Sequence, residues 1–242
     1  MAKNSVAVVG KNRLADELYE LARSCKLEAN LQPDAGRVDG AASLVIETSA
    51  GDEEEKKGIV KALDARLPKS SVLLTSCLRF SPTCIASWTA RPQRVVGFAT
   101  FYPINGRKVI ELSSGLCTTE ESLEEAEGFF RTLGKETVRV KDNPGLTFPR
   151  ILCLIINEAV RSLDEGVAQA EEIDTAMRLG TNYPLGPLRW ADQIGLDEVL
   201  AVLEGLQREM GEDRYRPAPL LKKMVLAGRL GERSGRGFYE YK

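Results

Sequence analysis

The sequence predicts an α/β domain with a mainly parallel sheet over residues 1–142, followed by an all-helical domain over residues 143–242. Three observations predict it. Short β-type runs alternate with helical stretches through the first half, as βαβ units do. KDNPGLTFPR, residues 141–150, punctuates the chain with Asn143, Pro144, Gly145 and Pro149. Beyond it almost every stretch is helical in pattern.

SVAVVG (5–10) is an apolar strand closed by glycine, and RLADELYELARSC is the helix after it. LEANLQ and ASLVIET supply two more strands. DEEEKKGIVKALDARL follows as a charged helix whose acidic start complements the N-terminal dipole, its charges read as a solvated face. SSVLLTS (70–76), RVVGFAT (94–100), KVIELS (108–113) and ETVRV (136–140) complete the strand set. In the second half, ILCLIINEAVRSLDEGVA places Ile151, Leu154, Ile155, Ala159 and Leu163 along one expected packing face. Asp174 opens another helix, and GLDEVLAVLEGLQREM and PAPLLKKMVLAGRL give two more.

A net charge of -2 with mixed signs gives no electrostatic reason to expect nucleic acid or an anionic membrane. MAKNSVAVVG is too short and too soon interrupted for a signal peptide. No apolar run approaches the roughly 20 residues that cross a bilayer. Five cysteines without a CxxC pair, and no histidine at all, argue against a disulfide framework or a metal site. A cytoplasmic protein with reduced thiols is expected.

Glycine between a first strand and its helix is the setting in which bare N–H groups receive a pyrophosphate. That setting suggests a Rossmann-like first domain, with an ordinary strand-turn-helix corner as the competing reading. Against the spacing G-x-G-x-x-G/A, the chain reads Gly10-Lys11-Asn12-Arg13-Leu14-Ala15. Gly10 and Ala15 fit, while Asn12 carries a side chain where phosphates approach. Asp34 is the one acid near the end of the second strand that could hold ribose hydroxyls, one residue late. Lys11 and Arg13 could attract a phosphate or be merely solvated.

NYPLGPLRWADQIGLDEVLAVLEGL (182–206), YRPAPLLKKMVLAGRLGERSGRGFYEY (215–241) and NEAVRSLDEGVAQAEEIDTAMRLG (157–180) resemble the helical domain of the L-3-hydroxyacyl-CoA dehydrogenase family. VAVVG, LVIET, RVVGF and DNPGL extend the resemblance over the chain. It implies oxidation of a 3-hydroxyacyl-CoA, NAD as cofactor, no metal, and a dimer formed through the helical domain. In the family, a histidine in an H-F-F-N-P loop takes the hydroxyl proton, oriented by a glutamate on the next strand. Imidazole suits that task because it titrates near working pH. Here the loop is Ala99-Thr100-Phe101-Tyr102-Pro103, so the histidine position is Ala99 and the glutamate is Glu111. The family's serine corresponds to Ser76 in Leu74-Thr75-Ser76-Cys77. Its substrate-holding asparagine corresponds to Pro149, which has no side-chain donor. A helical hairpin that helps the family grip coenzyme A is reduced to AGRVDG.

Departures therefore fall on cofactor, base, substrate and coenzyme A contacts, while the scaffold motifs stand. Losing a general base costs roughly 10²–10⁴ in rate. The expectation is a catalytically degenerate member acting as a non-catalytic subunit or regulator. It would pair as a homodimer, or as a heterodimer with an active paralogue, through the helical domain. The alternative is an active NAD(H)-dependent oxidoreductase of an unusual acyl-CoA with a replacement base. Tyr102 is one candidate, with Lys108 the nearest cation in sequence to lower its pKa, set against plain packing beside Phe98 and Phe101. Glu111 is the other, set against an ordinary strand-end carboxylate. Ser76 reads equally as a substrate contact or as an N-cap, and Cys77 as a buried filler.

Overall fold

The computed structural model describes residues 5–38 and 40–241. The first four residues of MAKNSVAVVG, Asp39 in AGRVDG, and Lys242 lie outside the described residues. The chain divides after Phe148 into two compact units.

Unit one carries a seven-stranded sheet in the order β2-β1-β3-β4-β5-β6-β7. The strands are β1 (Ser5–Val9), β2 (Glu28–Gln32), β3 (Leu44–Glu47), β4 (Val72–Ser76), β5 (Val95–Ala99), β6 (Val109–Ser114) and β7 (Glu136–Val140). All pairs are parallel except β5–β6, which is antiparallel. Helices α1 (Arg13–Ser24), α2 (Glu53–Arg66), α3 (Pro82–Ala86) and α4 (Glu120–Thr132) lie between strands. The mainly parallel Rossmann-like sheet is therefore as the alternating pattern predicts.

Period-two alternation fills one sheet face with Val6, Val8, Ile46, Leu74, Val96 and Phe98, packed with Leu14 and Leu18 of α1 and Phe130 of α4. Burying such side chains contributes about 1.5–3 kcal/mol each. On the opposite face Gly97 is dictated by packing. A Cβ there would lie 2.5 Å from both Cys77 Sγ and Pro82 Cγ. Cys77 is wholly buried, and burial pushes its thiol pKa up, which fits a filler rather than a nucleophile.

Between β2 and β3 the connection is a 3-10 turn, Ala35–Arg37, where the resemblance implies a helical hairpin. Ala35 and Val38 anchor this turn in the core. The α2 start is as read, with Asp52 Oδ1 accepting the Glu55 N–H at 2.9 Å. The solvated-face reading fails at Lys56, however, which is fully buried. Its ammonium meets a buried carboxylate, Glu47, that closes β3.

Unit two holds α5 (Phe148–Asp164, entered at the last residue of unit one), α6 (Ala170–Thr181), α7 (Pro187–Ile194), α8 (Leu196–Met210) and α9 (Pro219–Leu226). The expected α5 face is out of phase. Leu152, Cys153, Ile156, Asn157 and Val160 are buried with Ala159, whereas Ile151 is 53% exposed. The first half of α5 is apolar on two faces, so spacing alone does not fix which one turns inward. Buried carboxylates tie the unit's ends. Asp174 accepts the Leu188 and Arg189 N–H groups and the Tyr239 hydroxyl. Asp192 accepts the Phe238 and Tyr239 N–H groups and the Tyr241 hydroxyl. RSGRGFYEY thus closes the unit structurally. No helix among the described residues is long and apolar enough to cross a membrane.

Candidate active site

In an open parallel sheet, ligands bind beyond the carboxyl ends of the strands. That edge collects Gly10, Glu47, Ser76 and Ala99 at the ends of β1, β3, β4 and β5. It also holds unused hydrogen-bonding capacity. Ser76 Oγ and Thr100 Oγ1 are buried with no partner among the described residues. Buried hydroxyls are normally satisfied, so two orphans at a ligand edge mark where a polar group is wanted. Ser76 is not an N-cap, because α3 starts at Pro82 and Ser81 occupies its cap position.

Ala99 and Glu111 stand directly opposite one another in the antiparallel β5–β6 ladder. Glu111 is no idle strand-end carboxylate. Its Oε2 accepts the Thr147 N–H at 2.8 Å, and its Oε1 accepts the Phe148 N–H at 2.9 Å. The side chain therefore caps the start of α5, where helices leave N–H groups without partners. Burial raises its pKa above the ordinary value, and the two N–H groups oppose that rise. Pro149 falls in the first turn of the same helix, where a missing N–H costs nothing.

Tyr102 meets a cation, but it is Arg13 rather than Lys108. The Arg13 guanidinium carbon lies over the ring, 4.1 Å from its centroid. The ring also packs against the cluster that contains Phe98. The loop beyond it is held from two sides. Glu17 accepts the Ile104 and Asn105 N–H groups at 2.6 and 3.2 Å, and Lys135 Nζ donates to the Ile104 and Arg107 carbonyls at 2.9 and 2.8 Å.

At the glycine turn, a Cβ on Gly10 would sit 2.1 Å from Thr48 Oγ1 and 3.2 Å from Ala15 Cβ. Gly10 and Ala15 are both small because strand, helix and Thr48 converge there. Asn12 does not hang over the turn as a loose obstruction. Its Oδ1 accepts the Ala15 N–H and the Thr48 hydroxyl, each at 3.0 Å, and its Nδ2 donates to the Thr48 carbonyl. One helix N–H that a pyrophosphate could use is thereby taken. Asp34 stands two residues past β2, its Oδ1 accepting the Gly36 N–H at 3.0 Å. A dinucleotide fits this edge at its ribose end through Asp34. At the phosphate end, Lys11 and Arg13 are the side chains that would add charge.

Glu47 goes unread in the sequence, where Lys56 reads as part of a solvated face. Glu47 also accepts the Thr75 hydroxyl at 2.7 Å and the Ser49 N–H at 2.7 Å, and Lys56 donates to the Ser49 carbonyl at 2.8 Å. The available signal was a carboxylate ending the otherwise apolar run LVIE. Among the described residues, no group of three His, Cys, Asp or Glu side chains could hold a metal ion.

Comparison with known proteins agrees with this architecture. The family model described as "3-hydroxyacyl-CoA dehydrogenase, NAD binding domain" matches residues 5–143, and the one described as "3-hydroxyacyl-CoA dehydrogenase, C-terminal domain" matches residues 145–241. The "Probable 3-hydroxybutyryl-CoA dehydrogenase" of Bacillus subtilis is 43% identical over 200 residues, 83% of this chain and 70% of that one. The 3-hydroxybutyryl-CoA dehydrogenase of Bradyrhizobium diazoefficiens is 37% identical over 99% of this chain and 80% of its own length. Among solved structures, M. tuberculosis FadB2 superposes with a TM-score of 0.88 at 29% identity, covering all of both chains. The (S)-3-hydroxybutyryl-CoA dehydrogenase PaaH1 of Ralstonia eutropha does so at 0.77 and 32% identity, over 99% of each. The chain belongs to the 3-hydroxyacyl-CoA dehydrogenase family.

Proposed function

We propose that the chain is an NAD(H)-dependent oxidoreductase of 3-hydroxyacyl-CoA thioesters in which Glu111 replaces the imidazole as proton acceptor. One observation carries the reading: Glu111, with its pKa raised by burial, lies directly across the ladder from Ala99. NAD supplies the hydride acceptor when bound. Glu111 takes the substrate hydroxyl proton through one water in the space an imidazole would fill, a relay that general-base catalysis admits. Ser76 donates its hydroxyl to the substrate's 3-oxygen, and Asp34 holds the ribose. The names of the similar proteins support the thioester substrate. The helical unit carries self-association, supported by its exposed Ile151 and Leu179.

The test is NADH oxidation with acetoacetyl-CoA. Native protein is expected to turn over, and Glu111→Gln to lose about 10²-fold or more in kcat/KM. Unchanged turnover in that variant would sink Glu111 as the base. A second reading, the non-catalytic subunit or regulator, is favoured by Asn12 occupying the Ala15 N–H. It predicts no heat of binding with NADH or acetoacetyl-CoA, and a stable complex with an active paralogue on size-exclusion chromatography.

A further inference from the structure

We propose that the dinucleotide site admits the 2′-phosphate of NADP(H), and that Arg37 receives it. This rests on the oxidoreductase reading and deepens its cofactor half. An acid after the second strand ordinarily selects NAD in two ways. It hydrogen-bonds the ribose 2′-hydroxyl, and its charge repels a 2′-phosphate, whereas a nearby arginine accommodates one.

Here the acid and the arginine occur together. Asp34 Oδ2 pairs with Arg37 Nε at 3.3 Å, and Asp34 Oδ1 is turned onto the Gly36 N–H. The carboxylate's charge is thus partly offset, while each oxygen, with one protein contact, keeps a lone pair for a ribose hydroxyl. Arg37 is 70% exposed along its side chain. The pairing uses one edge nitrogen of a planar fork that carries five N–H donors, a shape that matches phosphate oxygens. Its position is fixed from below. Ala35 and Val38 bury on either side of the turn, α2 packs against it, and the Gly10 N–H donates to the Gln32 carbonyl at 3.1 Å. The same hydrogen bond sets the end of β2 beside the glycine turn, where Lys11 adds a second exposed cation. The 3-10 turn over Ala35–Arg37 is what folds the Arg37 side chain back onto Asp34.

Calorimetric titration of the full chain with NADH and with NADPH near physiological salt tests this. Native protein is expected to bind the two with dissociation constants within about threefold. Arg37→Ala should weaken NADPH about tenfold or more, as loss of a charge-assisted bidentate contact does, and leave NADH within about twofold. Arg37→Lys should fall between, since a point charge attracts phosphate without the fork. NADPH bound more than about tenfold weaker than NADH by the native chain would overturn the inference and leave the oxidoreductase reading intact. Equal weakening of both ligands in Arg37→Ala would overturn it too, assigning the arginine a structural role. Binding of neither nucleotide would overturn both readings at once.

Discussion

Glu111 faces Ala99 across the β5–β6 ladder while its carboxylate holds the Thr147 and Phe148 N–H groups. One side chain thus joins the edge where chemistry is expected to the start of the next helix. The capping role explains why a carboxylate persists opposite a methyl group. The raised pKa explains how it could still accept a proton.

The pH dependence follows from that shift. Glu111 has a folded pKa above its ordinary value of 4.5, with burial the largest cause. The folded state then binds the proton more tightly than the unfolded chain. Its contribution to stability is fully present below pH 4.5 and is lost as pH rises through the folded pKa. Urea unfolding of native protein and Glu111→Gln, followed between about pH 4 and pH 8, should show the variant gaining on the native chain as pH rises. For oxidation of 3-hydroxybutyryl-CoA, the acid limb of kcat/KM should inflect above pH 4.5 in the native chain and vanish in the variant.

Restoring an imidazole is the converse experiment. Ala99→His places a titratable ring directly opposite a carboxylate able to orient it. Oxidation of 3-hydroxybutyryl-CoA should rise about tenfold or more, a fraction of what a general base typically contributes. The native burial of Ala99, 3% exposed, makes the ring bulky for the site. A thermal melt belongs beside the rate, since a folded variant with no gain would show that the proton path runs elsewhere.

The two-unit organisation and the parallel sheet were legible because alternation and punctuation are local signals. SVAVV, LVIE and VVGFA each carry their own strand pattern. The histidine-loop resemblance located Ala99 and Glu111, and strand register then set them face to face. What stayed hidden was long-range. Nothing in DEEEK says that its lysine turns inward to a glutamate nine residues earlier. Arg13 meets Tyr102 only because the loop after β5 returns over α1, a closure that sequence neighbours such as Lys108 do not report. The α5 phase was ambiguous for a different reason: two apolar faces offer two solutions, and the rest of the unit chooses between them.

Tyr102 is expected to be dispensable for proton transfer. Its cation lies over the ring, and the ring packs against the core cluster that contains Phe98, so packing accounts for its place. Tyr102→Phe should leave kcat/KM within about twofold and keep the cation–π contact, which is worth about 0.5–1 kcal/mol at exposed sites. A loss of about a hundredfold would instead install the phenol as the base and release Glu111 from that role.

The Glu47–Lys56 pair gives the largest stability effect predicted. Both side chains are essentially inaccessible to water, and Thr75 and Ser49 complete the carboxylate's hydrogen bonds. Breaking such a pair from one side strands a charge in the interior, which costs about 3–5 kcal/mol. Lys56→Met should therefore lower the urea midpoint strongly, because Glu47 is left without its ammonium at the end of β3. The double variant Glu47→Gln with Lys56→Met should recover much of that loss, since no charge remains buried. Dinucleotide binding should follow the same pattern, because Thr48, next to Glu47, receives Asn12 at the glycine turn. If Lys56→Met alone were as stable as the native chain, the buried pair would contribute nothing net to stability.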